Sequence, residues 1–136
     1  GREPEEKQDE KIKEFYRTLF KITKEDVFRN GYWKLLETNS AADNDHSYEN
    51  ILAWEWRLGN ELRIVVVNYK GSTSRCILKF DFVSKADDIV LTDLLNDTTY
   101  KRSVKEIYEK GLFVELKSFN SHIFSFSEQG SDQTLH

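Results

Sequence analysis

The segment Glu61-Leu62-Arg63-Ile64-Val65-Val66-Val67-Asn68-Tyr69 decides how this chain folds. The run Ile64 to Val67 is β-branched throughout and too short for a buried helix, so it reads as a strand. Because it is apolar on both faces, it belongs in the middle of a sheet, with a second sheet over one face and a helix or neighbouring domain over the other. Upstream, Leu58-Gly59-Asn60 forms a tight hairpin back to a strand over Asn50 to Arg57. Downstream, Lys70 to Ser74 makes a looser turn into a strand over Arg75 to Phe82, where Cys76, Leu78, Phe80 and Phe82 share one side.

Further out, short runs rich in β-branched and aromatic residues recur between turn residues: Tyr32 to Glu37, Asp88 to Leu94, Thr99 to Ser103, Leu112 to Lys117 and His122 to Phe126. With the central strands they make about eight, the pattern of an antiparallel β-sandwich, and Leu112, Val114 and Leu116 mark another core-facing side. The only long helical period lies over Pro4 to Lys24, where Ile12, Phe15, Tyr16, Leu19 and Phe20 recur at three- and four-residue steps. Pro4 suits a first turn, and Glu5 and Glu6 match the helix dipole. Thr23 with Asp26 starts one further short turn before Arg29-Asn30-Gly31 breaks the pattern. The expected fold class is therefore mainly β: one amphipathic helix (residues 1–24), a sandwich (25–127) and a disordered tail (128–136) with no periodicity. The helix is the natural cover for the open sheet face.

The 136 residues suit one core rather than a two-lobed enzyme. A hydrophobic fraction of 38% against 32% charged supports a packed interior. Net charge is −4, so no wholesale basic surface exists for nucleic acid or anionic lipid. No apolar run approaches the ~18 residues of a membrane span. The lone Cys76 excludes an internal disulfide and a thiolate zinc site, and is expected in the core. The absence of methionine reads as a fragment of a longer chain, with the cytoplasm as default compartment and any parent signal outside view.

Motifs for catalysis are missing. His46, His122 and His136 are the available histidines, and no Gly-x-Ser-x-Gly elbow or Gly-rich phosphate loop accompanies them. Asp43-Asn44-Asp45-His46 offers alternating oxygens, but Tyr48 and Trp54 stand where a calcium loop needs Gly and Glu, so a solvated turn is the stronger reading and no metal is assigned. The most suggestive set is aromatic. Trp54 and Trp56 project from one face of a strand, with Trp33 and Tyr48 near in sequence, and planar side chains of this kind either stack pyranose rings or pack a core or domain interface. Leu52 on the same face favours packing.

Read in order, Phe28 to Leu36 (FRNGYWKLL), Asp43-Asn44, Ser47 to Trp54 (SYENILAW), Arg63 to Tyr69 (RIVVVNY), Leu91 to Leu95 (LTDLL), Lys110 to Leu116 and Ser121 to Phe126 resemble the all-β C-terminal domain of the α-amylase family of glycoside hydrolases. The resemblance runs from about Phe15 to Phe126. It implies that the N-terminal helix is the last helix of a (β/α)8 barrel, and that the chain is a non-catalytic accessory domain packing on that barrel. The family's catalytic carboxylates lie on the barrel, so no catalytic residue, cofactor or metal carries over. The implied partners are the barrel and, in the alternative reading, a starch or maltooligosaccharide held by Trp33, Trp54, Trp56 and Tyr48. Self-association through the uncovered helix is a further expectation.

Overall fold

The computed structural model describes residues 2–128. Helix α1 covers Arg2–Thr23 and a short α2 covers Asp26–Asn30. The strands follow as β1 (Tyr32–Leu36), β2 (Thr38–Asn39), β3 (Ile51–Leu58), β4 (Glu61–Asn68), β5 (Ser74–Leu78), β6 (Asp88–Asp93) and β7 (Thr98–Ser103), then helix α3 (Val104–Lys110), β8 (Leu112–Leu116) and β9 (Ser121–Glu128). All pairings are antiparallel. A six-stranded sheet in the order β1-β3-β4-β9-β6-β7 faces a three-stranded sheet in the order β2-β5-β8. The sandwich expected from the sequence is therefore present, with β4 in the interior of the larger sheet as its double-sided apolar run requires.

Between the sheets lies the main core. Ile64 and Val66 from β4, Cys76 and Leu78 from β5, Leu91 from β6, and Leu112, Val114 and Leu116 from β8 are buried there. The opposite, outer face of β4 carries Val65 into a second cluster with Ile22 of α1 and Ile123 of β9, packed by Leu19, Phe28 and Trp54. The helical N-terminus thus covers that face, although only through its last turns. Glu25, just past α1, pairs with Arg63 of β4 at 3.1 Å and anchors the covering turn. Thr23 does not cap α2: its hydroxyl donates back to the Phe20 carbonyl at 3.1 Å, and Glu25 occupies the cap position.

Three details depart from the sequence expectation. The strand expected over Arg75 to Phe82 ends at Leu78, because its partner β8 begins at Leu112, directly opposite Leu78. Gly111, at φ 99°, turns the chain there, and a Cβ on it would lie 2.6 Å from the Leu78 carbonyl oxygen. Phe80 and Phe82 leave the sheet but still pack on the core, 5.8 and 6.0 Å from the Phe126 ring. Second, residues 104–110 form α3: Ser103 caps it by accepting from the Glu106 amide, and Val104 and Ile107 turn inward. Third, where about eight strands are expected, the segment between β1 and β3 adds the two-residue β2 and a 3-10 turn at Ser47–Asn50, bringing the strand total to nine among the described residues. The expected tail lies outside the described residues from 129 onward, while Glu128 belongs to β9.

Buried polar groups tie the sandwich ends together. Asn68, fully buried at the end of β4, donates from Nδ2 to the carbonyls of Ser72, Leu116 and Lys117 and accepts the Lys70 amide at Oδ1. One side chain therefore joins the β4–β5 turn to the β8–β9 turn. Glu55, buried on the inner side of β3, pairs with Arg57, whose guanidinium also reaches the Asp81 carbonyl. That clamp holds the segment beyond β5 against the large sheet.

Candidate functional site

The outer face of the large sheet gathers the aromatic residues. Cross-strand register sets Trp33 opposite Trp56 and Leu35 opposite Trp54, so these four side chains share one face. Across β3 and β4, Leu52 stands opposite Val67 and Trp54 opposite Val65 on that same face. Alternation along each strand produces the arrangement directly: even positions of β3 face outward while Ile51, Ala53 and Glu55 are buried inward. Trp56 meets the Phe28 ring of α2 edge-on at 6.2 Å, and Trp54 packs in the outer cluster. Trp33, 53% accessible, and its neighbours Leu35 and Leu52 are exposed. The three indoles are thus brought together, but two of them lie partly beneath the helical cover.

Tyr48 is not with them. It sits in the 3-10 turn and packs against the inner core, with its ring 6.4 Å from His46. The adjoining Asp43 to His46 loop closes on itself. Ser40 Oγ donates to the Asp45 carbonyl at 2.8 Å, Asn44 adopts φ 63°, and Asp45 Oδ1 accepts the Ser47 amide at 2.9 Å. Hydrogen bonds from the Ser47 side chain and backbone hold the Asp45 carboxyl below its ordinary range. Among the described residues, no three His, Cys, Asp or Glu side chains converge as a metal site would require.

Helix α1 adds a second apolar surface. Ile12, Phe15, Tyr16 and Phe20 are exposed, Phe20 at 64%, and all but Phe15 line an open groove with Leu19, rimmed by Lys13 and Arg17. Phe15 and Tyr16 stack edge to face at 5.7 Å, and the Lys24 ammonium sits 4.5 Å from the Phe20 centroid. Cys76 takes no part in any surface: it is buried between the sheets, and burial pushes its thiol up to about 12.

One constellation escaped the sequence reading. Asp93 of β6 is fully buried and accepts from His122 Nδ1, from Asn96 and from the amides of Leu95 and Ile123. Burial alone would raise its pKa, but the hydrogen bonds from His122, Asn96 and Ile123, with the imidazole's charge, outweigh that and hold the carboxyl below its ordinary range. The available signal was alternation: Ile89 and Leu91 point inward, so Asp93 continues the same side as a polar residue in an apolar position.

No protein-family model matches the chain. No curated protein matches it in sequence. Solved structures do. An α-amylase from Geobacillus thermoleovorans, crystallised with acarbose, superposes with a TM-score of 0.56 at 15% identity over 78% of this chain and 20% of its own. A maltogenic α-amylase, AmyB, from Thermotoga neapolitana gives a TM-score of 0.52 at 22% identity over 75% of this chain and 22% of its own. The chain therefore spans about a fifth of the length of these neighbours. The mainly β fold that the α-amylase resemblance implied is the fold this chain shares with part of two α-amylases.

Proposed function

We propose that the chain is a non-catalytic C-terminal module of an α-amylase-like glycoside hydrolase acting on α-glucans, and that it packs on and stabilises a catalytic (β/α)8 barrel. The observation that carries this reading is the unpaired apolar stripe of α1, with Ile12, Phe15, Tyr16 and Phe20 all exposed on a helix whose last turns alone touch the sheet. A stripe of this kind marks a surface made to be covered. A barrel whose final helix is α1 supplies the cover, and the likeness to about a fifth of two α-amylases supports it. The test is to extend the coding sequence upstream of Gly1 in frame. A barrel-encoding segment running into α1 is expected, and its catalytic activity should be lost at a lower temperature when residues 32–128 are deleted. An unrelated upstream segment would overturn the reading.

The exposure of Trp33 beside Trp56 favours a second reading, a carbohydrate-binding module that stacks maltooligosaccharides on the outer face. Tryptophan fluorescence titrated with maltooligosaccharides and soluble starch, with iodide quenching, separates the two. Saturable change from quenchable indoles supports sugar stacking; silence from shielded indoles leaves the packing module.

A further inference from the structure

A cleft of about 250 Å³ opens on the flank of the sandwich where both sheets end, between the edge strands β7 and β8. It lies apart from the outer aromatic face, and its walls carry Tyr100, Arg102, His122 and Phe124 from the large sheet with Phe113 and Glu115 from β8. The packing is ordered. His122 stacks on Phe124 at 5.2 Å, Tyr100 stands edge-on to both rings, and the Arg102 guanidinium lies 5.5 Å over the Tyr100 ring.

The imidazole is oriented from behind. Asp93 is an acceptor when ionised, so the proton on the His122–Asp93 bond resides on Nδ1. Nε2 is left free: among the described residues no hydrogen bond reaches it, and the His122 side chain is 14% accessible. The cleft also carries both signs of charge. Arg102 and Glu115 both line it, Glu115 is paired with Arg75 at 2.6 Å, and His122 is hydrogen-bonded to Asp93. An anion would meet Glu115 and a cation would meet Arg102. A neutral, hydroxyl-rich ring instead finds a donor in Arg102, an acceptor in Glu115, a free hydrogen-bonding nitrogen in the imidazole, and apolar faces in Tyr100 and the exposed Phe113.

We propose that this cleft binds one glycosyl unit of a neutral oligosaccharide, with Arg102, Glu115 and His122 Nε2 bonding its hydroxyls and Asp93 acting as a positioning residue. That the sugar is an α-linked glucan rests on the function proposed above.

The experiment is a ¹H–¹⁵N titration of the full chain with maltotriose, cellotriose and inorganic phosphate. Saturable shifts at Tyr100, Arg102, Phe113 and Glu115 and in the His122 ring are expected with maltotriose. Arg102→Ala should weaken binding about tenfold or more, the weight of one charge-assisted hydrogen bond, without moving the melting temperature, while Val83→Ala, at an exposed residue away from the cleft lining, leaves affinity unchanged. In Asp93→Asn the ring ¹⁵N shifts should report loss of the fixed Nδ1–H form alongside weaker binding. Cellotriose alone shifting these residues keeps the cleft site and overturns the α-glucan assignment. Shifts with phosphate alone, sugar shifts confined to Trp33, Trp54 and Trp56, or no saturable shift with either sugar overturn the proposal.

Discussion

The inner and outer faces of the large sheet are made by the same strands, yet they solve opposite problems. On the inner face, Ile64, Val66 and Leu91 meet a second sheet and vanish from solvent, and the polar residues admitted there, Glu55, Asn68 and Asp93, are hydrogen-bonded. On the outer face, Val65 and Ile123 are buried by Leu19 and Ile22, whereas Trp33, Leu35 and Leu52 remain exposed. The inner face is finished within this chain. The outer face is only partly covered, which sets a closed core on one side of a single sheet against an exposed apolar surface on the other.

The sharpest way to break the contrast is to truncate the inner face. Ile64→Ala removes a fully buried side chain from β4 and should cost about 3–4 kcal/mol, measured by urea unfolding. The thiol of Cys76, buried in the native protein, should become reactive toward a thiol reagent at much lower urea in that variant. Next in size, Asn68→Ala leaves the carbonyls of Leu116 and Lys117 and the Lys70 amide without their partner, at about 2–3 kcal/mol. If Asn68→Ala proves neutral, the two turns are not held by that side chain.

Asp93 gives the inner face its pH dependence. Its folded pKa is depressed relative to the unfolded chain, so its contribution is complete above the ordinary carboxylate value, near ~4, and is lost as pH falls through the lower folded value. Asp93→Asn should cost about 1–2 kcal/mol at neutral pH and flatten the fall of stability on acidification below about pH 4. An unchanged acid limb in the variant would place the acid sensitivity elsewhere.

Much of this contrast could be read from residue order, for reasons particular residues make plain. Ile64 to Val67 announced a strand covered on both sides, and the three-four period of Ile12 to Phe20 announced the helix that supplies one cover. What could not be read is how much of that cover is real, since a stripe period says which residues face together and not whether a partner is present. The helix α3 was missed although Ser103 and Glu106 form its cap signal, because Val104 and Ile107 sit between two strand-like runs and seven residues carry little period. Likewise Trp54 and Trp56 share a face by alternation, but Tyr48 was grouped with them by sequence proximity and packs on the other side of the sheet. The Asp93–His122 pair depends on β6 lying beside β9, a pairing across 29 residues that local pattern does not encode.

On the outer face even an indole should count for less than Ile64 does on the inner one. Trp54→Ala takes away an indole only partly buried under α1 and α2, and about 2 kcal/mol is expected, below the toll of a fully buried aromatic. A loss as large as that of Ile64→Ala would mean that the outer face is as complete as the inner one.

The smallest effect is the most discriminating. Phe20→Ser alters a side chain 64% exposed on α1, so urea stability should change by no more than about 0.5 kcal/mol. If α1 is a docking helix, the same change should markedly reduce binding of a hydrophobic dye and shift any concentration-dependent self-association of the chain toward monomer. Stability and surface then separate in one variant, as they must if the sandwich folds on its inner core and leaves α1 for something else. Should Phe20→Ser instead unfold the chain at low urea, α1 belongs to the core of this domain, and its stripe is held by contacts within the chain rather than kept for a barrel.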